Sequence, residues 1–256
     1  MAELRSTRTA AGARTAQIDE GLRAHMNKIY GTMSVGLFVT ALVAWAIGTM
    51  TVTATPTDYM LREGQYLTQL GYALYGSPLK WVIMFLPLGM VFAFGAAINR
   101  LSAAGAQLFF YVFAAAMGLS ISSIFLVYTA FSITQTFLVT AVSFAALSLW
   151  GYTTKRDISA WGSFLFMGLI GLIVAMIVNM FLGSSALDFA ISAIGVLIFA
   201  GLTAYDTQKL KVDYIQHAHA MDGEWLAKSA IMGALNLYLD FINLFMFLLR
   251  FMGSRE

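Results

Sequence analysis

Seven stretches of the chain are apolar over the length of a membrane crossing, and polar or charged intervals separate them. They fall at roughly 30–51, 81–99, 106–128, 133–152, 161–182, 187–207 and 230–250. A helix rises about 1.5 Å per residue, so about 20 residues cross a hydrocarbon core of about 30 Å. The pattern predicts an all-α, polytopic membrane protein of about seven transmembrane helices. The short strands of a membrane barrel would alternate apolar and polar positions over about ten residues, and these runs do not.

The last stretch breaks its own pattern. Asp240 stands near its middle, with Asn236 and Asn243 at spacings of four and three residues on the same helix face. A carboxylate at the bilayer centre costs about 2.5–3.5 kcal/mol, so Asp240 is expected to face other helices, a partner or water. A second acid, Asp206, ends the preceding apolar stretch. These two carboxylates are the candidate functional centre. Their depths disagree on simple counting, because Asp206 lies three residues before Lys209 at the polar edge, while Asp240 is twelve residues beyond Lys228. They meet only if helix six continues past Lys211, or if helix seven begins late or tilts.

Composition supports the membrane reading: 59% of residues are hydrophobic, 11% are charged, and the mean hydropathy is +0.76. A net charge of +2 gives no footprint for nucleic acid. No cysteine is present, which excludes disulfides, thiolate metal sites and thiol catalysis. Residues 1–28 are expected to form a flexible cytoplasmic tail, 29–252 a single transmembrane domain, and 253–256 a short C-terminal tail. Basic residues at the helix ends set the orientation. With the N-terminus inside, Arg5, Arg8, Arg14, Arg23, Lys28, Arg100, Lys155, Arg156, Lys209, Lys211 and Lys228 are cytoplasmic, and Arg62, Lys80, Arg250 and Arg255 external. Seven crossings put the C-terminus outside, whereas a re-entrant final segment would return it.

Other features have a plain structural reading. The connection at 52–78 reads as an external loop with interfacial tyrosines. Pro87 is expected to kink helix two, as a static bend or as a hinge. Ala114, Gly118 and Ser122 on helix three, and Gly168 and Gly171 on helix five, are small residues at helical spacing; they read first as packing surfaces and second as a polar path. His217 and His219 with nearby acids have the composition of a metal site, but no other histidine lies in or near the spans. They read as part of a solvated loop.

Several longer motifs then occur in order: Met117-Gly118-Leu119-Ser120, Ser132-Ile133-Thr134-Gln135-Thr136-Phe137, Gly151-Tyr152-Thr153-Thr154-Lys155-Arg156-Asp157, Gly168-Leu169-Ile170-Gly171, Gly201-Leu202-Thr203-Ala204-Tyr205-Asp206-Thr207-Gln208-Lys209 and Leu237-Tyr238-Leu239-Asp240-Phe241-Ile242-Asn243-Leu244-Phe245. Together they resemble the bacterial branch of the transmembrane Bax inhibitor motif family, over nearly everything after residue 100. The resemblance implies a last helix that is central, with the other six wrapped around it. It implies a pH-sensitive, calcium-permeable leak of the bacterial inner membrane, with Asp206 and Asp240 as paired sensor and ion path. Asn236, Asn243 and Thr203 form the polar face beside them, and Arg100 is the candidate latch. An acid described on helix two of some members has no counterpart between Trp81 and Ile98.

On this reading there is no cofactor and no resident metal beyond transient calcium at Asp206 and Asp240. The partners are the bilayer, calcium and protons. Protonation has two opposed effects, since it releases an Asp–Arg latch and removes the anionic oxygens that a hard cation prefers. The alternative is a non-conducting membrane regulator or scaffold that modulates a membrane-bound protease or a stress response. No enzymatic activity is expected. An intramembrane aspartyl protease of the presenilin type needs Gly-x-Gly-Asp on its second catalytic helix, and here Leu237 and Leu239 occupy the glycine positions.

Overall fold

A computed structural model describes residues 2–217 and 222–254, with side chains from residue 18 onward. Its long helices are α1 (Ala2–Met50), α2 (Leu79–Ala97), α3 (Ala103–Ile121), α4 (Ala130–Thr153), α5 (Trp161–Leu182), α6 (Ser185–His217) and α7 (Gly223–Met252). A short turn, Ile124–Val127, extends α3. Each helix contains or overlaps one apolar run of the sequence, and all seven are long and apolar enough to span a membrane.

Local chemistry fixes the ends. Ser102, Thr129 and Asp222 each accept a hydrogen bond from the backbone N–H three residues on, which satisfies donors that a helix start leaves unpaired. Helix α5 stops at Gly183, whose φ of 62° closes the last turn, and Asn179 Oδ1 accepts from the Ser184 N–H. Large apolar side chains point outward: Phe131, Phe164 and Phe181 are 78%, 74% and 80% exposed. In water each would forgo about 1.5–3 kcal/mol of burial, whereas in lipid that cost vanishes. The bundle is built to be solvated by hydrocarbon.

The last helix is the most buried. Two thirds (67%) of the apolar window of α7 is buried, against at most 33% in any other span. Helices α1, α3, α4 and α6 pack on it, while α2 leans on α3 and α5 on α6. Aromatic side chains pack along it, with Tyr238 edge-on to Phe110 and Phe113 at 5.5 and 5.7 Å between ring centroids. Two glycines allow backbones to touch. A Cβ on Gly118 would lie 2.6 Å from the Thr40 carbonyl oxygen, and one on Gly151 would lie 2.3 Å from that of Ala204. The helix-three stripe is therefore a packing surface, and buried Ala114 and Ser122 extend it. Gly171 on α5 meets nothing within 4 Å.

Two expectations of the sequence are revised. Helix α1 begins well before the apolar run, and from Ile18 to Lys28, within the expected tail, it places Leu22, His25 and Met26 in the core. The 52–78 connection is not wholly irregular. Strands β1 (Val52–Thr53), β2 (Met60–Arg62) and β3 (Gln65–Leu67) form an antiparallel sheet in the order β1-β3-β2, with Gly64 at φ 75° in the tight turn. Strands of two or three residues are too short to show alternation. Tyr75 ties this cap to α3 through a 2.6 Å hydrogen bond with Ser122.

Candidate functional site

Helices α6 and α7 run antiparallel and are joined by a short connection. Each continues past the polar edge inferred from sequence, α6 beyond Lys211 to His217 and α7 starting at Gly223, ahead of Lys228. Of the two, only the extension of α6 moves Asp206 inward; the early start of α7 sets Asp240 about 25 Å from its own helix start. Asp206 is carried about 16 Å inside the end of α6, and its carboxyl comes within hydrogen-bonding reach of the Asp240 carboxyl on α7.

The environments of the two acids differ. Asp240 is 5% exposed, and among the described residues its Oδ2 has no hydrogen-bond partner. Asp206 is half-buried, with Lys209 exposed one turn further on. Two ionised carboxylates only accept, so a hydrogen bond between them requires a proton on one of the pair. A buried oxygen without a donor is also an unspent ligand for a hard cation.

The other expected residues are not all brought to the pair. Thr203 is buried, but its hydroxyl donates to the Phe199 carbonyl oxygen at 2.8 Å, and Asn243 Nδ2 donates to that of Leu239, also at 2.8 Å. Both side chains turn onto their own helix. Asn236 is half-buried on α7. Arg100 sits exposed in the turn after α2 and makes no hydrogen bond or ion pair with either acid, so the expected latch residue is not brought to the pair. No cluster of three or more metal-ligating side chains occurs among the described residues. The expected solvated loop at His217 and His219 is described only at His217, because His219 lies outside the described residues.

Hydroxyl chains that the sequence reading did not single out brace the helices around the pair. Tyr30 on α1 bonds to Ser148 on α4 at 2.6 Å, Ser148 bonds to Thr207 on α6 at 2.9 Å, and Thr207 donates to the Thr203 carbonyl oxygen at 2.7 Å. The single proton of Thr207 is thus committed, so Ser148 donates to it and Tyr30 to Ser148. A second chain joins α7, α1 and α3: Tyr238 donates to Thr40, which in turn donates to the Ala114 carbonyl oxygen at 2.8 Å. Hydroxyls in mid-span are the one sequence signal that points to such braces. Which of them meet depends on the helix arrangement.

The far ends of α6 and α7 are also pinned. Arg250 pairs with Asp188 at the start of α6, and at the α3–α4 turn the Thr129 N–H donates to the Ser254 carbonyl oxygen at 3.2 Å while the Ser254 N–H donates to Ser132 Oγ at 2.9 Å. Helix α7 is unbroken from Gly223 to Met252 and is long and apolar enough to cross a membrane. On the other side, Gln208 holds the α4–α5 loop by accepting from the Ile158 N–H and donating to the Arg156 carbonyl. In that loop Asp157 accepts from the N–H and hydroxyl of Ser159, which hold its carboxyl below the usual carboxylate range.

The same residues place the chain among known proteins. The family model described as inhibitor of apoptosis-promoting Bax1 matches residues 22–256. The inner membrane protein YbhL of Escherichia coli is 45% identical over 92% of this chain and 94% of its own length. A protein of Rickettsia prowazekii is 42% identical over 93% and 92%, and YrjE of Lactococcus lactis 38% identical over 93% of each chain. The match takes in all seven spans and the Asp206–Asp240 pair that joins the last two, and the chain belongs to the Bax inhibitor-1 family of membrane proteins.

Proposed function

We propose that this chain is a pH-sensitive, calcium-permeable leak channel of the inner membrane, in which Asp206 and Asp240 sense protons and pass the cation. The observation that carries the reading is the carboxyl–carboxyl contact between two helices in the core of the bundle. Proton loss would set two negative charges side by side. At about 4 Å and an effective dielectric near 20, their repulsion is about 4 kcal/mol, enough to change a two-state population by about a thousandfold. Separation of α6 from α7, or a cation between the acids, relieves it. Protons and calcium therefore compete for the pair.

The inner membrane is favoured by the relative named for that location, and the excess of basic residues puts the N-terminus in the cytoplasm and the C-terminus outside. A leak of this kind involves no covalent chemistry and no bound cofactor. The test is calcium flux into proteoliposomes from pH 5 to 8, comparing the natural chain with Asp206→Asn, Asp240→Asn and the double variant. A pH midpoint that both single changes move, and that the double change moves no further, is the signature of a coupled pair. Folded protein with no flux above empty liposomes would overturn the channel and leave the non-conducting regulator of a membrane protease as the reading to pursue.

A further inference from the structure

Helices α1 and α4 do not close on each other along their length. Between them lies a groove of about 800 Å³, within the range of small-molecule sites, floored by buried Phe144 and Phe241. The hydrogen bond between Tyr30 and Ser148 closes its depth. Its two ends differ in chemistry. Arg23, Asn27 and Tyr152 line one end, and Leu37, Ala41, Phe137 and Ala141 line the other.

The polar end is cationic and uncommitted. Arg23 is exposed and makes no ion pair or hydrogen bond among the described residues, although Asp19 and Glu20 lie one turn earlier on α1. Lys211 Nζ stands over the Tyr152 ring at 5.4 Å and donates to the Tyr152 carbonyl oxygen, adding a second positive charge. The span from Arg23 to Ala41 is about 27 Å of helix, long enough for a headgroup and the acyl chain of one leaflet. A partner helix does not fit. A cylinder about 10 Å across and 27 Å long occupies roughly 2,000 Å³.

We propose that the groove between α1 and α4 is a site for one anionic phospholipid, with its phosphate at Arg23 and Asn27 and an acyl chain along Leu37, Ala41, Phe137 and Ala141. The site is separate from the aspartate pair, and its occupant would bear on the Tyr30–Ser148–Thr207 chain that braces α6.

Native mass spectrometry of the full chain, released from nanodiscs of equal phosphatidylglycerol and phosphatidylcholine, tests it. The natural chain is expected to retain one phosphatidylglycerol, with at least a tenfold preference over phosphatidylcholine. Arg23→Gln, at an exposed position, should cut that preference about fivefold. Ala145→Trp fills the groove from its exposed wall and should abolish retention of either lipid. Ala41→Phe, from the facing wall, reads the same effect if the tryptophan variant does not fold. Equal retention of both lipids by the natural chain, or retention unchanged in a folded groove-filled variant, overturns the proposal. Neither result bears on the flux of the aspartate variants, so this inference and the channel reading fail separately.

Discussion

Replacing Gly151 by alanine tests whether the contact between α4 and α6 holds the aspartate helix in place. The added Cβ would lie 2.3 Å from the carbonyl oxygen of Ala204 and 3.1 Å from its Cα, both backbone atoms that no rotamer change can move. Reaching even the 3.0 Å that real Cβ atoms rarely pass requires the helices to separate by 3.0 − 2.3 = 0.7 Å, and an ordinary 3.4 Å contact requires 1.1 Å. Overpacking of this kind costs about 1–3 kcal/mol. The Ser148–Thr207 hydrogen bond, at 2.9 Å between the same two helices, would stretch with it and lose about 0.5–1.5 kcal/mol. Against this, alanine in a helix is about 1 kcal/mol better than glycine. The net is a destabilisation of about 1–3 kcal/mol, two residues from Asp206. Equilibrium unfolding in a mild detergent measures it, with Gly171→Ala as control, since a Cβ there meets nothing and should leave stability unchanged or raise it. If Gly151→Ala unfolds with the natural midpoint or above it, the close approach is not a determinant of the bundle and the reasoning fails.

Other outcomes follow from the same geometry. Asp240→Asn should be at least as stable as the natural chain at neutral pH, since it removes an ionisable group that is 5% exposed and whose Oδ2 has no hydrogen-bond partner among the described residues; a loss of more than about 2 kcal/mol in detergent unfolding would contradict that. Tyr30→Phe deletes the first donor of the brace and should cost about 0.5–1.5 kcal/mol, whereas Tyr238→Phe, at a fully buried phenol, should cost about 1–3 kcal/mol, and equal small effects would show that neither hydroxyl matters. Arg250→Gln breaks a pair whose side chains are about a third and a quarter exposed, so its effect on stability should stay near 1 kcal/mol or below. Asp157 should titrate below the ordinary carboxylate range in an NMR titration, and Ser159→Ala should move it back up. Since the folded value is the depressed one, its contribution is present above the unfolded pKa and is lost as pH falls through the folded one.

Hydropathy alone located the seven spans, because a bilayer admits only segments that satisfy their own backbone and bury no uncompensated charge. It also singled out Asp240, since a carboxylate deep in an apolar helix needs a reason that a surface carboxylate does not. Asp206 is different. By position it resembles an ordinary acid at a helix end, and only the motif around it suggested otherwise. What carries it inward is the length of α6 beyond the apolar run, a property of a helix that continues into polar sequence where hydropathy stops reporting. The same limit hid the part of α1 from Ile18 to Lys28, which is polar outside and places Leu22, His25 and Met26 inside. The exposed position of Arg100, the contacts that Thr203 and Asn243 make with their own helices, and the hydroxyl chains through Ser148 and Thr40 depend on helix rotation and crossing. Those are set by side chains from distant parts of the chain fitting together, such as Gly151 against Ala204. Periodicity within one helix records which face is apolar, whereas the partner for that face is chosen only when all seven helices pack at once.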